Sequence, residues 1–140
     1  MRKIATIIAG VTTVFGCVLE GAPLTYSQPA AEIGPGGVPY NLTSRQLQMV
    51  RSETAKTLKD PESAQFGYIS ARKDSEGSIT VCGYVTAPSF KGYNAAFIGK
   101  IPPTPNNLRF RVIKLGAWQT DRTDIKEACR QSDIDIIGRG

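Results

Sequence analysis

The sequence predicts a small α+β domain: an antiparallel sheet of three or four strands packed against one long N-terminal helix and a short C-terminal helix, which together cover one face. Three observations predict it. Residues 44–59 repeat apolar side chains at helical spacing. Residues 65–73, 79–85 and 108–115 alternate apolar and polar side chains, the first two across a turn that ends in glycine. Residues 121–131 return to helical spacing.

Ahead of that domain the chain opens as a secretory signal. Met1, Arg2 and Lys3 give a short positive start, the stretch from Ile4 to Leu19 is apolar or small without charge, and Glu20 closes it. Two processing routes fit. Thr25-Tyr26-Ser27 offers small residues for cleavage before Gln28, which makes residues 1–27 the signal peptide. Val14-Phe15-Gly16-Cys17 resembles a lipobox, in which the signal ends at residue 16 and Cys17 is the lipidation candidate, although Phe15 is bulkier than usual there. The expected location is therefore periplasmic or secreted, with a membrane-anchored lipoprotein as the alternative. Residues 28–42 hold three prolines and three glycines without apolar period and read as a flexible linker. Asn41-Leu42-Thr43 matches a glycosylation sequon and is taken as chance.

Thr43 and Gln46 form a capping box, and Leu47, Val50, Thr54 and Leu58 fall on one stripe, so a helix runs from about 44 to 59. Asp60-Pro61 ends it. In the strand at 65–73, Phe66 and Tyr68 are expected on one face, Ile69 and Ala71 on the other. Asp74-Ser75-Glu76-Gly77 is the turn to a second strand, where Ile79, Val81, Gly83 and Val85 alternate with Thr80, Cys82 and Tyr84. Residues 95–98 make a short third strand, the proline-rich 101–107 is irregular, and 108–115 alternates again, with Leu108, Phe110 and Val112 opposite Arg109 and Arg111. The last helix, 121–131, buries Ile125, Ala128 and Cys129. The domain is expected over 43–132, and 133–140 as a C-terminal tail.

The composition excludes several function classes. There is no histidine, so Ser–His and Cys–His catalysis and His-based zinc sites are ruled out. Without residues 1–27 the balance is 15 basic to 11 acidic side chains. That modest excess suits an anionic envelope component or an acidic partner, and also a bland soluble surface. No basic run carries interleaved aromatics, so nucleic acid is not expected as a partner, and neither a cofactor nor a transmembrane span is expected. Once Cys17 is removed or acylated, two cysteines remain. In an oxidising compartment, Cys82 and Cys129 are expected to form a disulfide.

Lys59-Asp60-Pro61-Glu62-Ser63-Ala64-Gln65-Phe66, followed by Val81-Cys82-Gly83-Tyr84-Val85, Gly92-Tyr93 and Phe97-Ile98-Gly99, carries a resemblance. The block resembles a family of small, exported, mostly uncharacterised bacterial envelope proteins and lipoproteins with a DPxSAxF…VCGxVNAKNxxGGYxGxxxFIG-like pattern. The likeness covers about a third of the chain. Thr86-Ala87-Pro88-Ser89-Phe90-Lys91 stands where that family has an asparagine-rich turn. The resemblance implies the periplasm or envelope and no particular activity. Read physically, Gly83 marks a close backbone approach, and Gly92-Tyr93 a tight turn with an anchored aromatic. The functional alternative is a ligand loop over 86–94, with Phe90, Lys91 and Tyr93 as contacts.

The expected role is a non-enzymatic binding, inhibitor or accessory module. Arg109 and Arg111, with Arg72 and Lys91 nearby, form a candidate basic patch, which a solvated sheet face explains equally well. The alternative is a carboxylate-based hydrolase of envelope polysaccharide, for which Glu53, Asp60, Glu62, Asp74 and Glu76 are the available acids. A structural spacer in the envelope is a third class.

Overall fold

A computed structural model describes residues 36–105 and 109–138. The leader, Cys17, Leu108 and most of the expected linker lie outside the described residues. Five strands and two helices follow in order: β1 (Val38–Pro39), α1 (Ser44–Ala55), β2 (Gln65–Lys73), β3 (Ile79–Thr86), β4 (Asn94–Ile101), β5 (Arg111–Gly116) and α2 (Gln119–Gln131). One-turn 3-10 helices at Pro61–Ser63 and Pro88–Phe90 join them. The sheet is an antiparallel meander in the order β1-β2-β3-β4-β5.

The α+β class therefore holds, with two corrections. The sheet has five strands, because the chain enters it before α1: Val38 pairs with Lys73 and Pro39 with Arg72. A proline-bearing strand is hard to read from sequence, and it is tolerated here because β1 is an edge. The helices also lie on opposite faces of the sheet rather than sharing one. Val50 and Leu58 pack with Ile79, Val81, Val85 and Phe97, whereas Ile125 and Cys129 of α2 pack with Cys82, Tyr84 and Ile98. The alternation along β3 is between two buried faces, since seven of its eight residues are buried. A strand buried on both sides requires cover on both.

The capping box at α1 is present: the Gln46 backbone N–H donates to Thr43 Oγ1 at 3.2 Å, and Gln46 Oε1 accepts from the Thr43 N–H at 3.0 Å. Tyr40 also donates to Gln46 Oε1, which accounts for that polar side chain being buried. Regular helix stops at Ala55, and two further turn hydrogen bonds carry the chain to Leu58. In β2 a register shift between Phe66 and Ile69 returns Phe66, Ile69 and Ala71 to the α1 face and leaves Tyr68 with the α2 cluster. The expected pairing of Phe66 with Tyr68 on one face is thereby overturned, because a bulge breaks period two.

Gly83 sits where its side chain would collide. A Cβ there would stand 2.7 Å from Tyr68 O and 2.9 Å from the Phe97 ring, its cross-strand neighbour. Phe97 in turn meets Phe66 edge-on, with centroids 6.2 Å apart. Across the other face, Cys82 and Cys129 form a disulfide with Cα atoms 6.2 Å apart, pinning the central strand to α2. The segment expected as a tail continues this layer. Ile134 and Ile136 are buried, and Asp133 Oδ2 accepts a hydrogen bond from the Gly36 N–H at 3.1 Å.

Candidate functional site

The loop between β3 and β4 is closed at its base by the cross-strand pair Thr86 and Asn94, whose side chains are hydrogen-bonded. Pro88 starts the 3-10 turn with its φ preset. Lys91 and Gly92 then both take left-handed backbone, at φ 51° and 85°, and the Tyr93 N–H donates to Phe90 O at 3.0 Å. For a lysine that conformation costs about 1–2 kcal/mol. Phe90 is half-buried against the α1-face cluster and anchors the loop. Tyr93, expected to be an anchored aromatic, is instead 63% exposed. The left-handed pair reverses the chain and leaves the Tyr93 ring in solvent.

The second contributor carries no motif in the sequence. Trp118, the only tryptophan of the chain, is 76% exposed at the N-cap of α2 and makes no side-chain capping bond. A serine, threonine or aspartate at that position would typically contribute about 1 kcal/mol, so an exposed tryptophan there runs against local stability. Its one sequence signal is an aromatic where a helix start asks for a small polar residue.

These two loops meet. Phe90, Lys91, Tyr93, Ala117 and Trp118 line a cleft of about 90 Å³. Tyr93, Ala117 and Trp118 are shared with an adjoining hollow of about 270 Å³, completed by Gln119 and Arg122. Among the described residues, neither lining contains a carboxylate. Arg122 Nε is buried with no hydrogen-bond partner among the described residues. An orphan of this kind typically costs about 1–3 kcal/mol. Arg122 also stands beside Tyr84, whose hydroxyl donates to Ile136 O at 2.7 Å. Burial pushes the Tyr84 pKa up, and the Arg122 charge partly offsets that. Of the ligand-loop residues expected from sequence, Phe90, Lys91 and Tyr93 are thus brought together, and Trp118 and Arg122 join them.

The expected basic patch lies at the other end of the sheet. The register places Arg72, Thr80, Lys100 and Arg111 in one row across β2, β3, β4 and β5. Lys91 follows the far end of β3 and does not belong to it. Lys100, Arg109 and Arg111 line a groove of about 630 Å³ with Glu53, Ser78, Pro102 and Phe110. None of these three cations forms an ion pair among the described residues, and Arg72 donates to Gly37 O at 3.2 Å.

The candidate acids are scattered. Glu53 pairs with Lys56. Asp74 Oδ1 accepts the N–H groups of Glu76 and Ser78 at 3.0 and 2.9 Å and so builds its turn. Glu62 and Glu76 are exposed, and Asp60 precedes the 3-10 turn at Pro61. Among the described residues, no group of three or more Cys, Asp or Glu is placed to hold a metal ion, and no helix is long and apolar enough to cross a membrane. No family model, curated protein or solved structure matches this chain.

Proposed function

We propose that this chain is an exported, non-enzymatic binding module of the bacterial envelope, and that the corner formed by Phe90, Lys91, Tyr93, Trp118 and Arg122 is its contact surface. One observation carries this reading. The two most exposed large aromatics among the described residues, Tyr93 and Trp118, come from separate loops and line the same pair of hollows. Exposed aromatics clustered on rigidly mounted loops are typical of binding surfaces. The signal-like segment from Met1 to Glu20 supports export, and a disulfide between Cys82 and Cys129 suits an oxidising compartment. The absence of histidine in the sequence supports a non-catalytic role.

The test is capture from an envelope extract by the processed protein, compared with the double variant Tyr93→Ala, Trp118→Ala. The reading expects a retained component whose recovery falls about tenfold or more in the variant, while the melting temperature is unchanged or higher. Equal recovery by both proteins, or no retained component at several salt concentrations, overturns it.

A further inference from the structure

We infer that the aromatic corner takes a carboxylate-bearing sugar ring of an acidic glycan, stacked on Trp118 and Tyr93 with its carboxylate received by Arg122. This rests on the reading of the corner as the binding surface and adds the class of ligand to it.

The charge of the corner sets the sign of the ligand. Among the described residues, its only cations are Lys91, in the smaller cleft, and Arg122, in the larger hollow, and no acid lines either. The nearest acids of α2 are engaged elsewhere: Asp121 and Asp124 face Lys114, and Glu127 pairs with Arg130. Asp135, the acid that acts on Tyr84 alongside Arg122, accepts the Ile137 N–H at 2.8 Å. An anion entering either hollow therefore meets a cation, without a competing carboxylate in the lining among the described residues.

The geometry of Arg122 narrows the anion. Its Nε is buried and its side chain hydrogen-bonds Tyr84, so what Arg122 offers the hollow is the rest of the guanidinium. A planar carboxylate is a group whose shape matches a guanidinium edge through two parallel hydrogen bonds.

Size and shape favour a sugar over a peptide. The hollow at Arg122 is about 270 Å³ and open beside Trp118, which suits one substituted ring lying flat. A peptide partner needs a pocket that seats a large apolar anchor, and the companion cleft at Phe90 is only about 90 Å³. A pyranose presents a face of C–H groups to an indole or phenol ring and carries its acid on the ring edge. The separation between stacking residues and cations matches that division of labour.

The experiment titrates the processed protein with trigalacturonate and with its methyl ester, which keeps the rings and removes the charge. Trp118 is the only tryptophan, so its emission reports the site directly, and calorimetry covers variants that lack it. The expected result is a change in Trp118 emission with the acid and binding about tenfold weaker for the ester. Arg122→Gln should shrink that preference to within about twofold, Arg122→Lys should retain part of it, and Trp118→Ala should lose both ligands. Melting curves of each variant confirm that it is folded. Equal binding of acid and ester, undiminished preference in Arg122→Gln, or no binding of the acid overturns the inference. Tighter binding of a poly-aspartate peptide at the same site overturns it as well. In each of these cases, extract capture that still depends on Tyr93 and Trp118 leaves the binding-surface reading standing.

Discussion

At one end of the sheet, Lys91 and Arg122 stand beside the exposed rings of Tyr93 and Trp118; at the other, Lys100 and Arg111 face each other across β4 and β5 with Arg72 in the same row. Both ends are basic, and they differ in what backs the charge. Among the described residues, the row at the β5 start has no exposed aromatic in its groove, and Lys100 and Arg111 sit directly opposite each other, which is mildly destabilising. The corner at the β3–β4 loop carries three features that cost stability: a left-handed lysine, a helix start without a capping side chain, and a buried orphan donor. Local departures of that kind concentrate where a surface is built for contact. A cluster of charge becomes a candidate site when shape and apolar surface accompany it.

The largest effect should come from the shared scaffold. Replacing Cys82 and Cys129 by serine opens a span of 47 residues, and the chain-entropy estimate for that loop is about 4 kcal/mol. Denaturant unfolding should register a loss of this order, and both ends should lose structure together. Loss at one end alone would show that the two are independent units.

Trp118→Ser should move stability and binding in opposite directions. A serine at this N-cap can accept a hydrogen bond from the first turn of α2, so stability should rise by about 0.5–2 kcal/mol while capture falls. A variant that is destabilised would mean that the indole packs rather than binds.

Tyr84 links the corner to the core beneath it. Its raised pKa means that the folded state holds the neutral phenol more tightly than the unfolded chain does. The contribution is fully present below pH 10.0, the ordinary phenol value, and is lost as the pH rises through the folded value. Tyr84→Phe leaves the Ile136 carbonyl without this donor, which should cost about 1 kcal/mol at neutral pH, and part of the alkaline fall should disappear. Unfolding midpoints measured between about pH 8 and 11.5 check both. An unchanged alkaline limb in Tyr84→Phe would remove Tyr84 from the account.

The smallest effect should come from the cationic row. Lys100→Ser or Arg111→Ser should shift stability by no more than about 0.5 kcal/mol, upward if repulsion across β4 and β5 matters. Melting curves at low and high salt check this, because screening should erase any gain.

Part of this architecture is legible in the sequence. The capping box at Thr43 and Gln46, the β2–β3 hairpin, the α2 stripe through Ile125 and Cys129, and the Cys82–Cys129 pair can each be read from local spacing or counting. The second buried face of β3 cannot. Thr80, Cys82 and Tyr84 look like the lesser half of an alternation until α2 is seen to cover them. Gly36, β1, Ile134 and Ile136 read as linker or tail because segments this short carry no period. At the candidate site, the tight turn at Gly92 is legible from its residue type. Trp118 and Arg122 are not, because their proximity to Tyr93 depends on how β5 hands over to α2, a tertiary relation no local pattern encodes.

Binding is proposed for the aromatic corner and not for the cationic row. Side-by-side capture from one envelope extract, using Tyr93→Ala with Trp118→Ala against Lys100→Ser with Arg111→Ser, tests it most directly. The account predicts recovery reduced about tenfold or more in the first variant and within about twofold of wild type in the second. Recovery lost in the second and kept in the first would contradict it.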